Sequence, residues 1–213
     1  MKLKAPYTMV VSGQTESGKT YFVDRLIRNQ EIMHEKPFEK IIYAYSVFQP
    51  LYHALISDVP GLELVEGFPD EIVSGENRES GEVPSTLLVL DDMLLDLEND
   101  KRLAMLFTKF RHHKVSTIFI LQNLYHGGKY IRTVTRNAQY MVIFPNPRDM
   151  NMISTLGRQI FPEHKNYLAD AFSKATAKKY GYLFLDLKPD TDKKFRVREG
   201  IFPNEQEYVY LPK

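Results

Sequence analysis

Eight consecutive residues, Gly13-Gln14-Thr15-Glu16-Ser17-Gly18-Lys19-Thr20, follow the spacing G-x-x-x-x-G-K-[ST]. Chance alone produces these four fixed positions in about one chain of this length in a hundred. The chemistry of such a loop is phosphate binding. Successive backbone N–H groups turn inward and wrap the β-phosphate. The helix that follows adds its N-terminal partial positive charge to the same anion. Gly13 and Gly18 allow the tight turn and the close approach of backbone to phosphate. Lys19 reaches the β- and γ-phosphates, and the Thr20 hydroxyl takes a magnesium ion. The expected ligands are a nucleoside triphosphate and Mg2+. Tyr21, next in the chain, joins the loop residues as a nucleotide-contact candidate.

A second chemical signal is the apolar run Thr86–Leu90 followed by Asp91-Asp92. It has the form of a Walker B strand, in which Asp91 holds magnesium directly or through water. Asp92 can accept a hydrogen bond from a water and orient it on the γ-phosphorus. A cap at the start of the next segment is the plainer use of an aspartate there. Gln122 ends another apolar run, Val115–Leu121, where it could sense the γ-phosphate if that strand neighbours the Asp91 strand. Arginines can stabilise the charge that develops as the γ-phosphate leaves. Arg111 is the first choice, with Arg132, Arg136, Arg148 and Arg158 behind it. His112 and His113 are adjacent rather than at a metal-ligand spacing, and read as exposed loop residues. The segment Tyr125–Arg132 mixes glycines, bases and aromatics. It is either an ordinary turn or a loop that tracks a nucleic-acid backbone, with Lys129 and Arg132 as the DNA-contact candidates.

These groups need a scaffold. Tyr7–Val11 reads as a buried strand entering the phosphate loop, and residues 18–29 as the helix leaving it, with Phe22, Leu26 and Ile27 on one face. Further strands are expected at 40–45, 62–65, 86–90, 115–121 and 140–144. Helices are expected at 51–57, 97–111, 148–158 and 163–177, and a short one within 123–138. Leu97, Leu103, Met105, Leu106 and Phe110 are candidate core residues of the second. Residues 74–85 read as an exposed loop. Residues 181–187 and 195–202 flank a turn at 188–192 and predict a terminal hairpin. Continuous apolar strands alternating with helices mean a mostly parallel sheet covered on both faces. Ligands then sit at the carboxyl ends of the strands, where the phosphate loop, Asp91-Asp92 and Gln122 all fall.

The 213 residues fit one domain, 1–213, with a sizeable core. Hydrophobic content of 43% and charged content of 26% are ordinary for a soluble globular protein. No apolar run is long enough to span a membrane, and MKLKAPYT lacks a hydrophobic signal core. The absence of cysteine excludes disulfides and thiolate metal sites and fits an intracellular protein. A net charge of +1 argues against a polybasic coat.

With these motifs in hand, the chain resembles the HerA–FtsK superfamily of DNA-pumping ATPases. It is most similar to the genome-packaging branch of large DNA viruses, poxviruses, virophages and Polinton-type elements. The resemblance covers nearly the whole chain. It rests on GQTESGKT, LLVLDDM, the segment FRHHKVSTIFILQNLYHGGKYIRTVTRNAQYMVIFPNPRD and the terminal YGYLFLDLKPDTDKKFRVREGIFP. It implies an α/β P-loop NTPase with a RecA-like ASCE core and the C-terminal hairpin added at the sheet edge. It implies a ring, a hexamer, with ATP at each subunit interface and double-stranded DNA in the pore. Lys19 and Thr20 carry over as phosphate and magnesium ligands, Asp91 as the Walker B aspartate and Gln122 as the sensor. Arg111 matches the arginine before the sensor strand and would act in trans. The sequence departs at Asp92, where many relatives have glutamate. A chain this short, without an obvious extra DNA-binding domain, would need a capsid or genome-end partner. Its place would be viral assembly sites in the host cytoplasm or nucleus, or the virion. Two other readings remain: a P-loop nucleoside or nucleotide kinase, and a nucleotide-dependent switch. A GTPase form of the switch lacks the N-K-x-D guanine motif.

Overall fold

The structure is a computed structural model that describes residues 1–74, 83–125, 128–147 and 150–212. The first half of the chain runs β1 (Thr8–Ser12), α1 (Lys19–Arg28), α2 (Gln30–Met33), β2 (Lys40–Tyr45), α3 (Leu51–Asp58), β3 (Leu62–Glu66), α4 (Asp70–Ser74), β4 (Thr86–Asp91), α5 (Leu94–Leu97) and α6 (Lys101–Thr108). A 3-10 turn, Phe110–His113, leads into β5 (Val115–Leu121). Then come α7 (Ile131–Asn137), β6 (Tyr140–Ile143), α8 (Met150–Ile160), α9 (Tyr167–Ala175), β7 (Leu183–Asp186), β8 (Val197–Glu199) and β9 (Tyr208–Val209). Among the described residues the strands form one sheet in the order β3-β2-β4-β5-β1-β6-β7-β8-β9. The pairings from β3 to β6 are parallel, and those from β6 to β9 antiparallel.

The central strands are apolar throughout because both faces of the sheet are covered. Successive side chains point to opposite faces. Leu88 and Leu90 of β4 therefore join Phe119 and Leu121 of β5 in one layer, under Leu106, Phe107, Leu168 and Phe172. Leu87, Val89, Ile118 and Ile120 join the other layer, under Phe22, Leu26, Ile27 and Leu55. The two layers clamp β1, β4 and β5 side by side, so their carboxyl ends meet at one edge.

The expected strands and the terminal hairpin form, β7 pairing with β8 as an antiparallel extension. The helix expected at 97–111 is instead broken into α5, α6 and the 3-10 turn. Asp100 is the cause: its side chain accepts a hydrogen bond from Arg102 N at 2.8 Å and starts a new helix. Leu97, Leu103, Leu106 and Phe110 are buried nonetheless, and Met105 partly so. The expected exposed loop at 74–85 lies largely outside the described residues, and Ser74 closes α4. The short α2, α4 and β9 have no counterpart in the sequence reading. Among the described residues no helix is long and apolar enough to cross a membrane.

One buried polar group ties the N-terminal segment to α2. His34 stacks against Tyr7 at 5.7 Å and edges Phe38 at 4.8 Å. Its Nδ1 lies 3.1 Å from the Gln30 carbonyl, which can only accept, so Nδ1 carries the proton. Nε2 is then free to accept from the Tyr7 hydroxyl, also at 3.1 Å. Burial lowers the His34 pKa to about 4, against the weaker opposing pull of the Gln30 carbonyl. The unfolded chain therefore takes up a proton below pH about 6.5 that the folded chain refuses. Stability should fall on acidification by about 1.4 kcal/mol per pH unit from this group, until pH nears 4. Urea denaturation at pH 7 and pH 5 checks this: the loss between them should shrink in His34→Leu, and an unchanged loss would refute it.

Candidate functional site

The phosphate loop closes where β1 meets β5. Gly13 N donates to the Leu121 carbonyl at 3.3 Å. A side chain at Gly13 has no room, since its Cβ would stand 2.5 Å from Phe144 Cβ and 2.8 Å from Ser17 Oγ. Gly18 sits at φ 107, a conformation open to glycine, and Glu16 at φ 64. The first turn of α1 holds no acidic side chain, so its positive end is left to a ligand. Lys19 Nζ donates to the Gln14 carbonyl at 2.8 Å, folded over the loop. Burial pulls the Lys19 ammonium below its ordinary pKa, and the Asp91 and Asp92 carboxylates work against that. Ser17 Oγ is buried without a hydrogen-bond partner, a donor inside the loop that a phosphate oxygen could satisfy. Thr15 and Glu16 stand exposed on the outer turn.

Asp91 ends β4 and is buried. Its Oδ2 accepts from the Tyr43 hydroxyl at 2.6 Å, the Tyr52 hydroxyl at 3.0 Å and Thr20 Oγ1 at 3.4 Å. Burial raises the Asp91 pKa, while the two tyrosine hydroxyls favour the charged form. Tyr43 comes from β2, which pairs with β4, and Tyr52 from α3, with ring centroids 5.0 Å apart. Burial beside Asp91 pushes both phenols up, so they remain donors. Sequence reading missed them because each looks like an ordinary aromatic core residue until β2 and β4 are paired.

Thr20 and Asp91 supply adjacent hard oxygen donors, which fit magnesium. Among the described residues no group of three or more acidic, histidine or cysteine side chains could hold a metal ion. A magnesium ion held by one or two protein oxygens, phosphate and water suits that arrangement.

Asp92 turns out of the strand at φ 54, a left-handed conformation that costs a non-glycine residue roughly 1 kcal/mol. Its exposed carboxylate accepts from Gln122 Nε2 at 3.4 Å. β5 lies between β4 and β1, so Gln122 stands between the acidic pair and the phosphate loop. Lys19, Thr20, Asp91, Asp92, Gln122 and Tyr180 line one cavity of about 870 Å³. Tyr21 stands at its lip. Tyr180 and Gln49 line it too and carried no signal in the sequence.

The structure does not bring Arg111 to this cavity. Its backbone lies in the turn before β5, at the amino end of a seven-residue strand, about 23 Å from the Gln122 end. Among the described residues no arginine lines the cavity. Arg148 lies outside the described residues. His112 and His113 are exposed, as expected. Lys129 is exposed in the segment between β5 and α7, and Arg132 is exposed in the first turn of α7. That segment is pinned to the residues after α5: Tyr130 N donates to the Glu98 carbonyl at 3.2 Å, and Lys129 N to Asn99 Oδ1 at 3.4 Å.

The tyrosine pair makes a prediction. Partners that orient a metal-binding carboxylate are worth roughly 10- to 100-fold in metal affinity. Tyr43→Phe should therefore raise the magnesium concentration for half-maximal nucleotide binding about tenfold. Titrating magnesium against a fluorescent nucleotide measures it, and an unchanged midpoint would reject the assignment.

No protein-family model matches this chain, and no curated protein matches it. Solved structures do resemble it. The genome packaging NTPase B204 of Sulfolobus turreted icosahedral virus 2, solved with ATP-gammaS, superposes with a TM-score of 0.52 at 14% identity. That match covers 97% of this chain and 98% of B204. The cytoplasmic domain of EssC superposes with a TM-score of 0.54 at 11% identity, over 97% of this chain and 40% of that one. At such identities the likeness is one of fold, and the fold is that of a P-loop NTPase.

Proposed function

We propose that this chain is an ATP hydrolase of the HerA–FtsK type that moves double-stranded DNA, packaging a viral genome into a preformed capsid. One observation carries the reading: Asp92 follows the buried Asp91 in a left-handed turn and meets Gln122 from the interposed β5. Both polar ends face the cavity beside the phosphate loop. A kinase needs a second pocket there for its phosphate acceptor. A water-orienting carboxylate beside a polar amide suits hydrolysis. The full-length fold likeness to a genome packaging NTPase supports the same reading.

The loop N–H groups and Lys19 hold the β- and γ-phosphates. Thr20 and Asp91 would hold magnesium, which would supply charge neutralisation at the phosphates. The Asp92 carboxylate accepts a hydrogen bond from a water aimed at the γ-phosphorus. The water oxygen bonds to phosphorus as the bond to the β–γ bridging oxygen breaks, giving ADP and inorganic phosphate. Gln122 loses its γ-phosphate partner at that moment. The chain after Gln122 leads directly to Lys129 and Arg132, which meet the DNA backbone. The cavity holds one lysine and no arginine among its described residues, so the missing guanidinium comes from a neighbouring subunit of a ring, a hexamer in this reading. Arg111, far from its own cavity, is the trans candidate. A capsid or genome-end partner recruits the ring at viral assembly sites.

Double-stranded DNA should stimulate ATP hydrolysis, and Lys19→Ala should abolish it. A DNA-independent ATPase that survives Lys19→Ala would sink the proposal, and phosphate transfer to a nucleoside would replace it with a kinase. Mixing Arg111→Ala with Lys19→Ala subunits should restore activity if Arg111 acts in trans. Lys129→Ala and Arg132→Ala should each lower the salt dependence of DNA binding by about one ion.

A further inference from the structure

We propose that Tyr180 is the platform on which the nucleobase of the bound triphosphate stacks. This rests on the phosphate-site reading above and adds the base subsite to it. Asp91, Asp92 and Gln122 hold the γ-phosphate end on the β4–β5 side of the phosphate loop. The base must then lie on the other side, over the ends of β6 and β7. Tyr180 stands there, two residues before Tyr182 and three before the start of β7.

Its setting is built rather than incidental. Tyr180 adopts φ 61, a conformation rarely occupied by an aromatic residue and one that costs free energy. The residue is nevertheless 54% exposed, so burial offsets little of that cost. The ring lies over the phosphate loop, 3.3 Å from where a Cβ on Gly18 would be. The turn is locked on both sides. Gly181 N donates to the Lys178 carbonyl at 2.9 Å. A Cβ at Gly181 would meet the Ala175 carbonyl oxygen at 2.3 Å, so only glycine fits. Tyr182 is buried between Phe22 of α1, at 5.0 Å, and Phe144, at 5.7 Å. Tyr182 OH also donates to Glu205, whose other oxygen holds Arg25 of α1. The tyrosine platform is thus fastened to the same helix that binds the phosphates, so ring and loop keep their spacing. Lys179 Nζ lies over the ring, 4.9 Å from its centroid, and adds a cation there.

An exposed aromatic face beside a phosphate site suits a planar base, and such stacking is tolerant of base identity because every base has a π-face. The expectation is therefore affinity for the base in general and weak discrimination among ATP, GTP and CTP.

The test is calorimetric titration of Mg·ATP and of inorganic tripolyphosphate into wild type, Tyr180→Asn and Tyr180→Phe. Asparagine tolerates the left-handed backbone, so it removes the ring without refolding the turn. Tyr180→Asn should weaken ATP binding roughly 5- to 150-fold and leave tripolyphosphate within about twofold. Tyr180→Phe should match wild type. Unchanged ATP affinity in Tyr180→Asn, or equal losses for both ligands, would overturn the base platform while leaving the phosphate site standing. A wild-type protein that binds neither ligand would overturn the phosphate site and the platform with it.

Discussion

A carboxylate buried at the end of a central strand has to be compensated, and around Asp91 that requirement organises the site. One oxygen accepts three hydroxyls, from β2, α3 and the first turn of α1. Desolvation alone would favour the protonated acid. The two phenols oppose that shift by donating to the carboxylate, without supplying positive charge. The same three bonds join two strands and two helices at the sheet edge. The position of the Asp91 carboxylate and the local architecture therefore depend on one another.

The strand order does the rest of the positioning. Because β5 is inserted between β4 and β1, the polar residue after β5 has the acidic pair on one side and the phosphate loop on the other. A sheet in which β4 paired directly with β1 would leave Gln122 outside. The backbone after β4 and after β5 is also locked together through Glu98, Asn99, Lys129 and Tyr130. The antiparallel strands beyond β6 serve a different purpose. They carry Tyr182, Phe202 and Glu205 against α1 and brace the phosphate-binding helix from outside the parallel core.

The elements with the strongest local signals were legible directly. The parallel strands are continuous apolar runs because they are buried on both faces, and the phosphate loop is a fixed pattern of glycine, lysine and threonine. Helix limits were less legible. A helical apolar period ran unbroken through Asn99-Asp100, yet the Asp100 side chain capped a new helix there. Tyr43, Tyr52 and Tyr180 were invisible for another reason: nothing local separates a tyrosine in a core from one that serves a site.

The sequence by itself marked the phosphate loop, the acidic pair and the terminal glutamine as candidates, because those are read from residue type and near-neighbour spacing. It also determined which runs become strands, because double burial leaves a continuous apolar signature. Only the tertiary structure decided that β5 lies between β4 and β1, that two phenols hold Asp91 and that Tyr180 overhangs Gly18. It also decided that Arg111 stands a full strand length from its own cavity. Those facts join residues tens of positions apart, and such pairings are chosen by packing across the sheet rather than by any local property of the chain.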